Sequence, residues 1–149
     1  MAVIIDIADA VVTEMNGHTF SQTFTAARFY RPLFDLKDMS VLHVSVVPKA
    51  WSAEQAMRGG NLEEHQIDVG VQQKVADDPG PPAISMQQQM DALVTLVQEV
   101  SDFFRLRRLD AYPDAGCVKV ENVPVFAPDH LQEYRQFTSV LTLTFRVFR

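Results

Sequence analysis

The chain is expected to fold as an α+β domain: a mainly antiparallel sheet with one long helix packed on a face and a short N-terminal helix. Three observations predict this. Residues from Tyr134 to Arg149 alternate with a period of two up to the last residue. His65 to Val75 alternates in the same way. Between these runs, Met86, Met90, Leu93, Val97, Val100 and Phe104 recur at steps of four, three, four, three and four, the buried stripe of a helix. Strands grouped about one crossover helix place it against one face of their sheet.

The elements follow in order. Ile4, Ile7, Ala8, Val11 and Met15 share one face of a helix over residues 3–15, with Asp6, Asp9 and Thr13 opposite. Asn16-Gly17 supplies residue types that end a helix. Thr23 to Tyr30 is expected to be a strand closed by Pro32, and Leu33 to Asp38 a short connection. Ser40 to Val47 is apolar on both faces and reads as a strand near the middle of its sheet, stopped by Pro48. Lys49 to Glu64, with Gly59-Gly60 and mixed charge, reads as a long excursion between strands. In His65–Val75, Ile67, Val69, Val71 and Val75 point inward and Gln66, Asp68, Gln72 and Lys74 outward, and Gly70 marks a bulge or a close approach.

Asp77 to Pro82 holds three prolines and a glycine and reads as a stiff loop. Ser85 and Gln88 have the capping-box spacing, opening a helix that runs to about Leu109. Arg105, Arg107 and Arg108 would then sit where the helix dipole favours cations. Val118 and Val120 indicate a short strand ending by Pro124, and Pro128-Asp129 one helical turn.

In the closing strand Phe137, Leu141, Leu143, Phe145 and Val147 take one face, with Ser139 among them, and Thr138, Thr142, Thr144 and Arg146 the other. Sixteen residues at ~3.3 Å each span roughly 50 Å, more than a domain of 149 residues comfortably provides. Part of this strand is therefore expected to pair or pack outside its own subunit.

Composition narrows the function. The length suits one domain, residues 1–149, able to bury a core without staples. Apolar residues make up 47%, and a single cysteine, Cys117, excludes an internal disulfide framework. The opening Met1-Ala2-Val3-Ile4-Ile5 has no basic flank and is cut by Asp6 and Asp9, so neither a signal peptide nor a membrane span is expected. A net charge of −6 argues against wrapping nucleic acid, whose phosphates need Lys and Arg.

Catalytic motifs are sparse. His130-x-x-Glu133 places two ligand types on one helical turn, without the further ligands a zinc site needs. Glu63, Glu64, His65 and Asp68 form the densest ligand-like group, which solvated charge also explains. Cys117 reads as a small buried hydrophobe. Nucleophile elbows, Walker loops and dinucleotide-type glycines are absent. Trp51 is a contact anchor or a loop tryptophan folded back on the core, and Arg58 a contact or a solvated loop residue.

The layout resembles the tail-terminator or tail-completion proteins, the head–tail joining proteins of long-tailed bacteriophages. The matching features are the amphipathic opening helix, the run Val41–Pro48, a charged loop containing Arg58, the strand His65–Val75 and the helix Met86–Leu109. The closing run Leu131 to Phe145, with Phe137-x-Ser139-x-Leu141-x-Leu143-x-Phe145, is the most distinctive. The resemblance implies a structural virion protein of the tail or neck, assembled in the host cytoplasm, with no catalysis, cofactor, metal or membrane. It implies a homo-oligomer, a six-fold ring capping the tail tube, with the major tail tube protein and a head completion or connector protein as partners. DNA would pass through the lumen without specific binding, repelled by carboxylates lining it. Trp51, Arg58, Thr142, Thr144, Arg146 and Phe148 are the expected interface residues. Another neck component remains a second possibility, and a small metal-dependent enzyme or ligand-binding protein a third.

Overall fold

The computed structural model describes residues 2–30, 41–75 and 85–149, except the side chains of Glu133 and Tyr134. The connection 33–38, the Pro32 stop and the loop 77–82 lie outside the described residues.

The elements run α1 (Val3–Asn16), β1 (Ala26–Arg28), β2 (His43–Met57), β3 (Gly60–Lys74), α2 (Met86–Phe104), β4 (Gly116–Glu121), α3 (Pro128–Tyr134) and β5 (Gln136–Phe148). They build a five-stranded sheet in the order β1-β2-β3-β5-β4. β2, β3, β5 and β4 are antiparallel neighbours, while β1 joins parallel to β2 over Val44–Val46. The sheet is thus mainly antiparallel, as expected, and mixed only through β1; the expected strand Thr23–Tyr30 shrinks to three residues.

One face carries the core. Val44, Val46, Ile67, Val69, Val71, Leu141, Leu143 and Phe145 lie there, all at most 2% exposed, against Ile7, Ala8 and Val11 of α1 and Leu93, Leu96, Val97 and Val100 of α2. The layer over the sheet therefore holds two substantial helices, of 14 and 19 residues, instead of a single long one.

Local chemistry sets the helix ends. Ser85 Oγ accepts from the Gln88 backbone N–H at 3.2 Å, and Gln88 Oε1 accepts from the Ser85 N–H at 3.0 Å, completing the capping box. The other end comes earlier than Leu109: Arg105 caps α2 and Leu106 turns into the left-handed region at φ 59°. The three arginines thus lie beyond the last turn, where the helix dipole no longer holds them. Arg107 instead crosses to the buried carboxylate of Glu14, which also accepts from the Asp110 backbone N–H, fastening α1 to the chain after α2. At the end of α1, Gly17 keeps a negative φ of −87°. Asn16 does the work, exchanging two hydrogen bonds with the Ala26 backbone at 3.0 and 2.8 Å.

Two strand expectations are overturned. Lys49–Glu64 is no loop excursion: β2 continues to Met57, Arg58-Gly59 forms a two-residue turn, and β3 returns from Gly60. Gly59 takes φ +84°, which a hairpin turn of this size requires of a glycine. Pro48 does not stop β2, because β1 covers only Val44–Val46 and proline is tolerated on an open edge beside a bulge, here between Pro48 and Ala50. Gly70 sits in regular register with Ser45 and Val140, without a bulge.

The closing strand does not need a second subunit for its backbone. β5 pairs with β3 from Lys74↔Gln136 to Leu62↔Phe148, and with β4 from Glu121 to Gly116. β2, β3 and β5 have 15, 15 and 13 residues, so length is matched by length. Tyr134 belongs to α3, which ends at Arg135 with φ 52°.

Candidate functional site

The pleat sorts the residues of interest onto two faces. Even-numbered residues of β5 point away from α1 and α2. Thr142, Thr144, Arg146 and Phe148 share this outward face with Glu64, Gln66 and Asp68 of β3 and Lys119 and Glu121 of β4.

That face is a lattice of paired charges. Thr142 Oγ1 donates to Asp68 Oδ1 at 2.7 Å, and Lys49 Nζ lies 3.9 Å from the same oxygen. Arg146 Nη2 donates to Glu64 Oε1 at 2.8 Å. Lys119 binds Glu121; this hydrogen bond and charge hold the Glu121 carboxyl below its ordinary pKa, with Lys49 adding to the effect, and raise that of Lys119. Three cations thus answer three carboxylates, leaving a polar surface with no net sign. Thr144 lies beneath it, only 6% exposed. Further along, Ser45 and Gln72 are wholly buried on this side, and His130 of α3 reaches Thr138 at 2.9 Å. Gln72 points outward as expected but not into solvent.

Trp51 is on the opposite, helix-bearing face. It is a strand residue rather than a loop anchor, stacked on His65 with ring centroids 6.0 Å apart and 61% exposed. His65 Nε2 lies 2.9 Å from Glu63 Oε2, and Glu63 Oε1 accepts from Arg149 Nη1 at 3.3 Å. With Ala2, Val3 and Ile4 these side chains line a cleft of about 230 Å³ where the two ends of the chain meet. The structure therefore separates Trp51 from Thr142, Thr144 and Arg146 by the thickness of the sheet. Arg58 stands in the exposed hairpin turn.

The ligand-like groups are divided. Glu63 and His65 point to the helix face, Glu64 and Asp68 to the outward face, and no group of three His, Cys, Asp or Glu among the described residues is placed to hold a metal. The His130 partner is Thr138. Cys117 is buried, which pushes its thiol up to about 11. No helix among the described residues is long and apolar enough to cross a membrane.

Sequence reasoning missed the outer edge of β2. From Lys49 to Met57 every residue is exposed, and β1 ends before it. With both faces open there, the side chains show no alternation. The signal that could have found it is Arg58-Gly59-Gly60, a hairpin turn between two strands of equal length.

No protein-family model matches the chain, and no curated protein matches it. Among solved structures, it is similar to the sheath/tube terminator of the extracellular contractile injection system PVC in its extended state. The identity is 14% and the TM-score 0.43; the match covers 100% of this chain and 57% of the other.

Proposed function

We propose that this chain is a structural virion protein that closes into a six-fold ring on the end of a phage tail tube. There it ends tube polymerisation and gives the head connector its docking surface. The observation that carries this is the exposed half of β2, where Trp51 and Met57 are each 61% exposed on the way to Arg58 in the hairpin turn, with Phe148, equally exposed, at the end of β5 on the outward face. Aromatic residues, methionine and arginine are the types enriched where protein surfaces meet. The resemblance of the layout to tail terminators, in the opening helix, the strand His65–Val75, the long helix and the closing strand, supports the same assignment; the charged loop expected around Arg58 is strand and hairpin turn and does not contribute. The outward face, neutral in sum on a chain of net charge −6, offers nothing that would hold DNA phosphates. The role is structural, without a cofactor.

The test is addition of the purified chain to polymerising tail tube protein. Tubes should stop growing and carry a ring at one end in electron micrographs. Tubes of unchanged length without rings would refute the assignment. Binding to the head connector with no effect on tube length would instead make the chain a different neck component.

A further inference from the structure

The two edges of the sheet are not equivalent, and their chemistry is complementary. One is the outer edge of β2 from Ala50 to Gln55, regular between two bulges, with Lys49 before it and Glu54 within it. The other is the outer edge of β4, which carries Lys119 and Glu121 and the half-exposed Val118. The start of β4 is closed by the backbone of Arg107 and Arg108, leaving Val118 to Glu121 open among the described residues. β2 runs antiparallel to β3, β3 to β5 and β5 to β4, so β2 and β4 point in opposite directions. A sheet continued from one copy to the next would therefore set β4 antiparallel to β2.

We infer that the outer edge of β2 seats β4 of a second copy of this chain, so that the sheet continues from subunit to subunit. This rests on the ring assignment and names the contact that closes it. A register that keeps the two faces matched sets Trp51 beside Val120 and Ser52 beside Lys119 of the next copy. Glu121 then lies opposite Ala50, one residue from Lys49, and Lys119 lies diagonal to Glu54, within the ~7–8 Å of diagonal cross-strand neighbours. Trp51, the large exposed apolar side chain of this edge segment, gains Val120 as cover. Edge meets a different edge, a heterologous contact that makes a ring when its rotation closes. Pro48 and Lys49 blunt only the near end of the edge, where strand pairing stops.

The test uses cysteines in a Cys117→Ala background: Ser52→Cys with Lys119→Cys. Within one subunit these positions are separated by three strand spacings, about 14 Å, too far for a disulfide that needs Cα atoms about 4.4–6.8 Å apart. Under mild oxidation the double variant should give a ladder of covalent oligomers beyond the dimer. Mixing the two single variants should give heterodimers at least tenfold faster than either alone gives homodimers. Both positions are exposed, and a melting curve matching the parent confirms the fold. Sedimentation at the same concentration separates the outcomes. Oligomers without a ladder would overturn the edge contact and leave the ring standing. A folded monomer with no ladder, alone and on tubes, would overturn both. Rapid homodimers of Ser52→Cys alone would show two β2 edges meeting and overturn the contact with β4.

Discussion

Arg146→Glu combined with Phe148→Ser separates an assembly defect from a folding defect. The Arg146–Glu64 pair joins side chains 44% and 40% exposed, and such surface pairs contribute about 0–1 kcal/mol. Reversing the charge places two carboxylates across neighbouring strands, a penalty of similar size. Phe148 is 61% exposed, so roughly two-fifths of the ~1.5–3 kcal/mol of a fully buried side chain is at stake, about 1 kcal/mol. The variant should lose about 2 kcal/mol of the ~5–15 kcal/mol typical of a domain, lowering Tm by roughly 4–8 °C. At an interface, an arginine and an aromatic can each be worth about 2 kcal/mol or more, so a contact made by this outward face should weaken by roughly a hundredfold to a thousandfold. The assays are a thermal melt, sedimentation velocity, and tail length and head attachment in phage carrying the variant. A modest Tm drop with normal, head-joined tails would show that the outward end of β5 is not an interface. Deleting Phe145–Arg149 cannot decide this, because Phe145 and Val147 are at most 1% exposed and their loss removes core.

Two further outcomes follow from the core. Leu93→Asp or Val97→Asp puts an unpaired carboxylate where the parent side chain is 2% or 3% exposed, at a cost of several kcal/mol; cooperative melting should vanish, and a soluble, cooperatively melting variant would show the α2 stripe to be misplaced. Cys117 should resist thiol reagents at pH 8 until denaturant is added. Its folded pKa, about 11, lies above the ordinary 9.0, so its stabilisation is complete below pH 9 and is lost between pH 9 and 11, by about 2–3 kcal/mol; a flat stability curve across that window, in comparison with Cys117→Ala, would contradict its burial.

Much of the fold was legible because single elements carried strong local signals. The Ser85/Gln88 box and the stripe from Met86 to Phe104 specify α2 without reference to anything distant. The inward sets of β3 and β5 follow from one buried face, since a one-residue slip would turn every apolar side chain to solvent. What failed depended on neighbours. Whether Pro48 ends a strand depends on whether a neighbouring strand needs the donor that proline lacks, and β1 stops just short of it. Whether arginines after Phe104 serve a helix end depends on Glu14, more than ninety residues earlier in the chain. Neither partner is adjacent in sequence, so neither left a pattern.

The candidate site shows the same division, and moves as a consequence. Glu63, Glu64 and His65 are consecutive, which made them look like one ligand cluster, but a pleated strand sends consecutive side chains to opposite faces. The length of β5 looked like a strand in search of an outside partner, but β3 matches it residue for residue and leaves its backbone satisfied. Unpaired backbone costs free energy only where it is buried, so a long free edge is stable in water as it stands. Among the described residues the strand left open is β2, whose exposed half carries Trp51 and leads to Arg58, both expected from the sequence to lie in a loop. They remain candidates for a different physical reason: among the described residues, no strand lies beside the half of β2 that carries Trp51 and leads to Arg58.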